Sequence, residues 1–157
     1  YENLDKQYVG CIKIGHTTDS FDAETPEKNP RKYQHISINK IYKTSRYFIG
    51  KQMQMPPIFS AIKVNGEALY KKARRGERDI MISKREIIIH KLDIKSTKLP
   101  YIYFDVHCSK GTYIRSLAND IGGELGCGGY LYNLKRTKIG ELKLSNAISI
   151  DNIDSYI

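Results

Sequence analysis

With 157 residues and 40% hydrophobic content, the chain can bury one ordinary core and is no disordered tail, despite a mean hydropathy of -0.50. Lys and Arg number 26 against 17 Asp and Glu, a formal charge of +9 with the basic residues spread along the chain, and 12 tyrosines with no tryptophan suit a polyanion-binding surface with rings for stacking. No apolar run approaches the roughly 20 residues a bilayer-spanning helix needs, and no signal-peptide pattern opens the chain.

Cys11, Cys108 and Cys127 form no CxxC pair, and His16, His35, His90 and His107 show no metal-ligand spacing, so a disulfide scaffold or a zinc site is a poor reading. A reducing cytoplasm is the default expectation. The chain opens at Tyr1, almost directly in a strand, which reads as an incomplete N-terminus.

The first predicted element is a strand over "QYVGCIKIG", with Tyr8, Gly10, Ile12 and Ile14 on one phase. "HTTDSFDAETPEKNPRK" is polar, holds two prolines and reads as a loop. An amphipathic helix is predicted over "SINKIYKTSRYFIG": Ser37 is its N-cap, Ile38, Ile41, Tyr42 and Tyr47 or Phe48 its apolar stripe, and Gly50 its C′ residue. The Pro56-Pro57 pair forbids regular helix and leads into a short strand, "FSAIKV", followed by an Asn-Gly turn signal. "EALYKKARRG" then reads as a short helix carrying Lys71, Lys72, Arg74 and Arg75, a charge run that equally describes a solvated helix face.

A long β-rich stretch, "IMISKREIIIHKLDIKS", precedes "YIYFDVHC", where Ile102, Phe104, Val106 and Cys108 alternate with Tyr101, Tyr103, Asp105 and His107. Helical spacing follows at Ile114, Leu117, Ala118, Ile121 and Leu125, closed by Gly126, Gly128 and Gly129. "YLYNLKRTKIGELKL" gives one or two strands, and "SIDNIDSYI" a terminal helix capped by Ser149. Strands and helices interspersed without a strict βαβ rhythm predict an α+β fold, a mixed and largely antiparallel sheet flanked by helices, in a single domain.

Where the 101–108 strand turns into the next helix, the sequence is "CSKGTYIRSL". Arg115 stands in the first helical turn with Lys110 just before it, although the unpaired N–H groups there already carry partial positive charge. Such a placement costs roughly 0.3–1 kcal/mol unless an anion occupies the site. On spacing alone Tyr8 is a strand tyrosine facing the core, and no Walker loop, G-x-G-x-x-G or Ser/His/Asp pattern is present. Spacing therefore reaches only a basic α+β domain that binds RNA or DNA.

Three longer segments go further. "DKQYVGCIKIGHTTDSFDAE" is similar to a K-x-Y…L-G-x-x-T-x-T-x-D segment, "QMPPIFSAIKVNGEALYKKARRG" to Q-x-P-P-x-Y-S-A-x-K-V-x-G-x-x-L-Y-x-x-A-R-x-G, and "CSKGTYIRSLANDIGGELGCGGYLYNLKRTKIG" to C-S-K-G-T-Y-I-R…D-I-G…L-G-x-G-A…L-x-R-T-x-I-G. In that order they resemble the TruB-type tRNA pseudouridine synthases, from about residue 5 to residue 148.

The resemblance implies isomerisation of one uridine in the T-loop of tRNA, at the position called 55, with no metal or organic cofactor. It implies a nucleophilic aspartate in a G-T-L-D-P segment, which these 157 residues do not contain, so this chain alone is expected to be inactive. Arg115 matches the arginine that pairs with that aspartate, the anion the helix start awaits. Tyr8 matches the tyrosine that stacks on the target base and is a candidate for removing a proton from its carbon. Leu134 matches an apolar pocket residue and Tyr113 is a second pocket candidate. Lys63, Lys71, Arg74, Lys110 and Arg136 are then expected to contact phosphates along the stem-loop, around a flipped-out nucleotide.

Asp19 and Asp22 match the T-x-T-x-D segment and are expected to anchor its turn rather than replace the nucleophile. Phe59 stands where the family has Tyr, and Tyr130 where it has His. The expected partner is tRNA, with no membrane, no obligate protein partner and no C-terminal accessory RNA-binding domain. Three alternatives stay open: an RNA-binding pseudoenzyme, the guide-RNA-dependent synthase branch that shares G-T-Y-I-R, and a DNA-binding factor.

Overall fold

The computed structural model describes residues 4–58, 63–64, 67–68, 71, 74–75, 83–140 and 142–143. The predicted terminal helix and most of "FSAIKV", Phe59 included, lie outside them. Six strands form one sheet: β1 (Lys6–Ile14), β2 (Gly50–Gln54), β5 (Arg85–Lys98), β6 (Tyr101–Cys108), β7 (Gly129–Ile139) and β8 (Leu142–Lys143). Their order is β2-β5-β6-β1-β7-β8, and every pairing is antiparallel. β3 (Lys63–Val64) and β4 (Glu67–Ala68) make a separate hairpin. The helices α1 (Ile38–Tyr47) and α2 (Ile114–Leu125), each described throughout, pack on the sheet of this α+β fold; α1 packs on α2 and β5, and α2 on β7.

The alternation in β6 decides which face meets the helices. Ile102, Phe104, Val106 and Cys108 are buried, while Tyr103 on the other face is exposed. All five apolar positions predicted for α2 are buried with them. Because β1 lies between β6 and β7, Tyr8, Ile12 and Ile14 enter the same core. Gln54, at the end of β2, stands opposite Arg85, at the start of β5.

β7 pairs with β1 in three registers, with shifts between Gln7 and Tyr8 and between Cys11 and Ile12. Cys11 faces Asn133 but Ile12 faces Leu131, so Tyr132 is an extra, bulged residue. Leu131 and Leu134 are three apart and would point to opposite faces of a regular strand. The bulge re-phases the strand, so Leu131 is buried in the core and Leu134 packs against it.

Two predicted elements change. α1 begins where expected, with Ser37 Oγ accepting from Lys40 N–H at 3.1 Å, but it stops at Tyr47. Its last turn tightens, Phe48 N–H bonding Ser45 C=O, and Gly50 at φ 109° opens β2 instead of following the helix cap. Its buried stripe is Ile41, Thr44, Ser45 and Phe48, whereas Ile38, Tyr42 and Tyr47 are exposed. The helix predicted from Glu67 does not include its first two residues: Glu67 and Ala68 pair with Val64 and Lys63 as strands. Lys71 and Arg74 are helical.

All three cysteines are free and buried. Burial pushes the Cys108 thiol from its ordinary 9.0 up to about 11, against the smaller opposing effect of Thr112. At pH 8 about one such thiol in a thousand is ionised. Native Cys108 should therefore resist iodoacetamide, whereas the urea-unfolded chain should alkylate at all three cysteines in intact-mass spectra. The thiol's contribution to stability is complete below pH 9 and is lost as pH rises through 11. Fast alkylation of native Cys108 at pH 8 would contradict its burial.

Candidate active site

The junction from β6 into α2 uses its small polar residues on itself. Ser109 N–H donates to Ile88 C=O at 2.9 Å, Ser109 Oγ accepts from Ile88 N–H at 2.8 Å, and Thr112 Oγ1 donates to Ser109 C=O at 2.8 Å. Gly111 takes the left-handed conformation, φ 76°. With those hydroxyls engaged, the N-cap residue Tyr113 provides no side-chain cap, and no acidic residue stands in the first turn. The start of α2 is thus electropositive before the Arg115 guanidinium is added.

Two contacts fix this helix start to the end of β2. The buried Gln54 amide accepts from Tyr113 N–H at 2.9 Å and donates to Tyr113 C=O at 3.1 Å, and Ser116 Oγ donates to Met55 C=O at 2.7 Å. The Q-M-P segment and the T-Y-I-R segment, distant in sequence, are one structural unit.

An open cleft of about 1210 Å³ lies beside this helix start. Tyr8, Tyr113, Arg115, Leu134, Arg136 and Arg74 all line it. Lys71 and Lys110 are exposed and do not line it, and the Lys63 side chain lies outside the described residues.

Pairing across β1 and β7 sets Tyr8 opposite Arg136 and Gly10 opposite Leu134. A Cβ on Gly10 would come within 2.7 Å of Asn133 O and 3.1 Å of Leu134 Cδ1. Only glycine lets Leu134 take this position. Tyr8 is 5% exposed, and its hydroxyl accepts from Arg136 Nη2 at 3.4 Å, with the guanidinium carbon 5.6 Å from the ring centre. Burial raises the phenol's pKa and the Arg136 charge partly opposes this, so Tyr8 is a neutral phenol near pH 7. Arg136 Nε is buried with no hydrogen-bond partner among the described residues.

Arg115 Nη1 lies 3.7 Å from Asp22 Oδ2 and 3.5 Å from Ser20 C=O. The other oxygen of Asp22 is engaged in its own turn, accepting from Ser20 Oγ at 2.5 Å and Glu24 N–H at 3.0 Å. Asp22 therefore anchors the loop and also faces the arginine, a contact that residue spacing does not reveal. Asp19 pairs with Lys28 within the same loop.

Tyr130 has a structural task. It is buried, and its hydroxyl donates at 2.9 Å to Glu27, whose carboxylate also takes Lys13 Nζ at 2.9 Å. The Lys13 bond is the main reason the Glu27 carboxyl lies below its usual range. Through Glu27, Tyr130 holds the loop that carries Asp22. Among the described residues no group of three His, Cys, Asp or Glu could hold a metal ion.

The family model for the N-terminal domain of TruB family pseudouridylate synthases matches residues 1–114. The chain belongs to the TruB family. The C-terminal domain model of tRNA pseudouridylate synthase B matches residues 115–157, so the two meet inside the first turn of α2. Among TruB relatives, the tRNA pseudouridine synthase B of Chlorobium chlorochromatii is 44% identical over 151 residues, 96% of this chain and 59% of its own. That of Flavobacterium johnsoniae is 48% identical over 145 residues, 92% of this chain and 63% of its own. The chain thus spans about three fifths of the length of such relatives. Its fold is similar to that of a chain in the crystal structure of a Cbf5-Nop10-Gar1 complex, with a TM-score of 0.64 at 23% identity, covering 99% of this chain and 37% of that one.

Proposed function

We propose that this chain forms most of the catalytic cleft of a tRNA pseudouridine synthase, which isomerises a T-loop uridine, at position 55, to pseudouridine. The observation that carries the reading is the gathering of Tyr8, Tyr113, Arg115, Leu134 and Arg136 from β1, β7 and the start of α2 around one cleft. Relatives sharing more than two fifths of the sequence are named tRNA pseudouridine synthase B.

In this reading the nucleophilic carboxylate comes from outside these residues and meets Arg115. The guanidinium holds it ionised and aimed, and the electropositive helix start adds to the same field. Asp22 Oδ2, 3.7 Å from Arg115 Nη1, helps to orient the fork. A uracil turned out of the loop lies between the Tyr8 ring and Leu134, a mostly apolar slot with an aromatic wall. Because burial keeps Tyr8 protonated near neutrality, its first role is the ring; Arg136, beside its hydroxyl, stabilises any phenolate formed during proton transfer. The unpartnered Nε of Arg136 is an N–H suited to an RNA phosphate. In this reading catalysis calls for no metal or organic cofactor.

The test is pseudouridine mapping on an unmodified tRNA transcript incubated with the full-length protein. One modified residue in the T-loop is expected. Tight tRNA binding with no pseudouridine would favour an RNA-binding role without catalysis.

A further inference from the structure

The cations are spread along the chain, but the net charge is not. Residues 28–51 hold Lys28, Arg31, Lys32, Lys40, Lys43, Arg46 and Lys51 and no Asp or Glu, which leaves nineteen cations against 17 carboxylates elsewhere. Seven of the nine net charges therefore sit on 24 residues, comprising the end of the long loop, α1 and the first residue or two of β2.

The fold lays this segment along α2. Arg31 Nη1 and Lys40 Nζ donate to Gly126 C=O at 3.4 Å and Leu125 C=O at 3.1 Å, at the C-terminal end of α2. At its other end the segment runs through β2 to Gln54, which grips Tyr113 beside the cleft. The twelve residues of α2 separate these points by about 17 Å at 1.5 Å per residue.

Asn39, Tyr42, Lys43 and Arg46 recur at helical spacing on the outer face of α1 and line a shallow groove of about 390 Å³. Lys32, Lys43 and Arg46 are exposed, and none forms an ion pair among the described residues. Single charged helix faces are usually just solvated. Here the 24 residues hold no acid of their own, only Lys28 and Lys51 at the two ends pair with acids from elsewhere, Asp19 and Glu86, among the described residues, and the charge leads toward a site already read as an RNA cleft.

We propose that the exposed face of α1 is a second RNA-docking surface, on which Lys32, Lys43 and Arg46 hold the phosphate backbone of the same RNA whose loop enters the cleft. The identity of the polyanion rests on the reading under Proposed function. A B-form duplex carries one charge per roughly 1.7 Å of axis and an A-form RNA stem, with its shorter rise, carries them more densely, so a 17 Å stretch of stem holds about ten phosphates or more. A stem extending at least that far past the loop reaches the surface. A lipid surface fits less well: Ile41 and Phe48 of this amphipathic segment are buried in the core, leaving Ile38 as the exposed aliphatic residue of α1.

The test is the salt dependence of RNA binding by the full-length protein, unsubstituted and as Lys43→Gln/Arg46→Gln. Two hairpins share one loop, one with a stem longer than a helical turn and one with only a few pairs. On the long hairpin the slope of log Kd against log salt should fall by about 1.8, two phosphate contacts at roughly 0.9 each. The short hairpin should bind both proteins alike, and Lys43→Arg/Arg46→Lys should keep the full slope. An unchanged slope on the long hairpin, or equal losses on both, would overturn the proposal. So would binding to phosphatidylserine vesicles that alone responds to the substitutions, which would assign the face to a membrane.

Pseudouridine formation read on the same samples separates the two claims. Product with no slope change removes the docking surface alone. A slope change with no product removes the enzymatic reading alone, and absence of any RNA binding removes both.

Discussion

Gly122→Ala is expected to remove at least about 3 kcal/mol of unfolding free energy, while Gly123→Ala, one residue on, is expected to add up to about 1 kcal/mol. A Cβ on Gly122 would fall onto the backbone of Gly128 and Gly129, where α2 touches the start of β7 with nothing between them. Gly128 N–H also bonds Gly122 C=O at 3.0 Å, so the two segments are held at that separation. No side chain is available to swing aside, and relief would require moving the helix off the sheet. Gly123 meets nothing within 4 Å, so a methyl there costs no contact and removes unfolded-chain entropy. Urea unfolding of both variants reads the difference. A Gly122→Ala midpoint close to the unsubstituted protein's would mean that the helix and strand are not in backbone contact.

Arg115→Lys is expected to slow pseudouridine formation by about 100-fold or more at saturating tRNA, with the folded stability nearly unchanged. In the proposed reading the guanidinium, whose Nη1 already faces Asp22 Oδ2 and Ser20 C=O, must also hold an incoming carboxylate, a task suited to a planar fork of donors. An ammonium keeps the charge and so keeps RNA attraction, but it cannot hold two groups in one plane. Its side chain is 23% exposed, so the substitution leaves no cavity in the core. Single-turnover rates with a binding titration on the same variant separate aim from affinity. A loss of affinity with an unchanged bound-state rate would make Arg115 an RNA contact rather than a carboxylate holder.

The residues that could be read from sequence are those whose surroundings their own periodicity decides. In β6 a strict alternation places Ile102 and Val106 inward and Tyr103 outward without reference to anything else. In α2 the apolar spacing does the same. For α1 it fails, because Thr44 and Ser45 face inward while Ile38 and Tyr42 remain outside. Ser45 can be buried because its Oγ donates to Tyr42 C=O at 2.8 Å, a bond a hydropathy pattern does not register.

The cleft divides along the same line. Arg115 and Lys110 drew notice as cations at the wrong end of a helix, and the family wording assigned Tyr8, Tyr113 and Leu134. The Asp22 contact, the Gln54 clamp and the Tyr132 bulge were illegible, since each depends on chain segments that meet only in three dimensions. The localised charge of residues 28–51 was legible, but only once absent acids were counted along with present bases.

Gln54 and Arg85 stand opposite one another in neighbouring strands, so the chain leaves the sheet and rejoins it at one point. Arg74, within that detour, reaches the cleft wall. Closing a loop costs only about 0.6 kcal/mol more for each doubling of its length. The detour can therefore grow, shrink or be exchanged for another of different composition without shifting the register of any strand. The sheet is a fixed chassis, and the detour that brings Arg74 to the cleft is an arm whose length and composition the sheet leaves free.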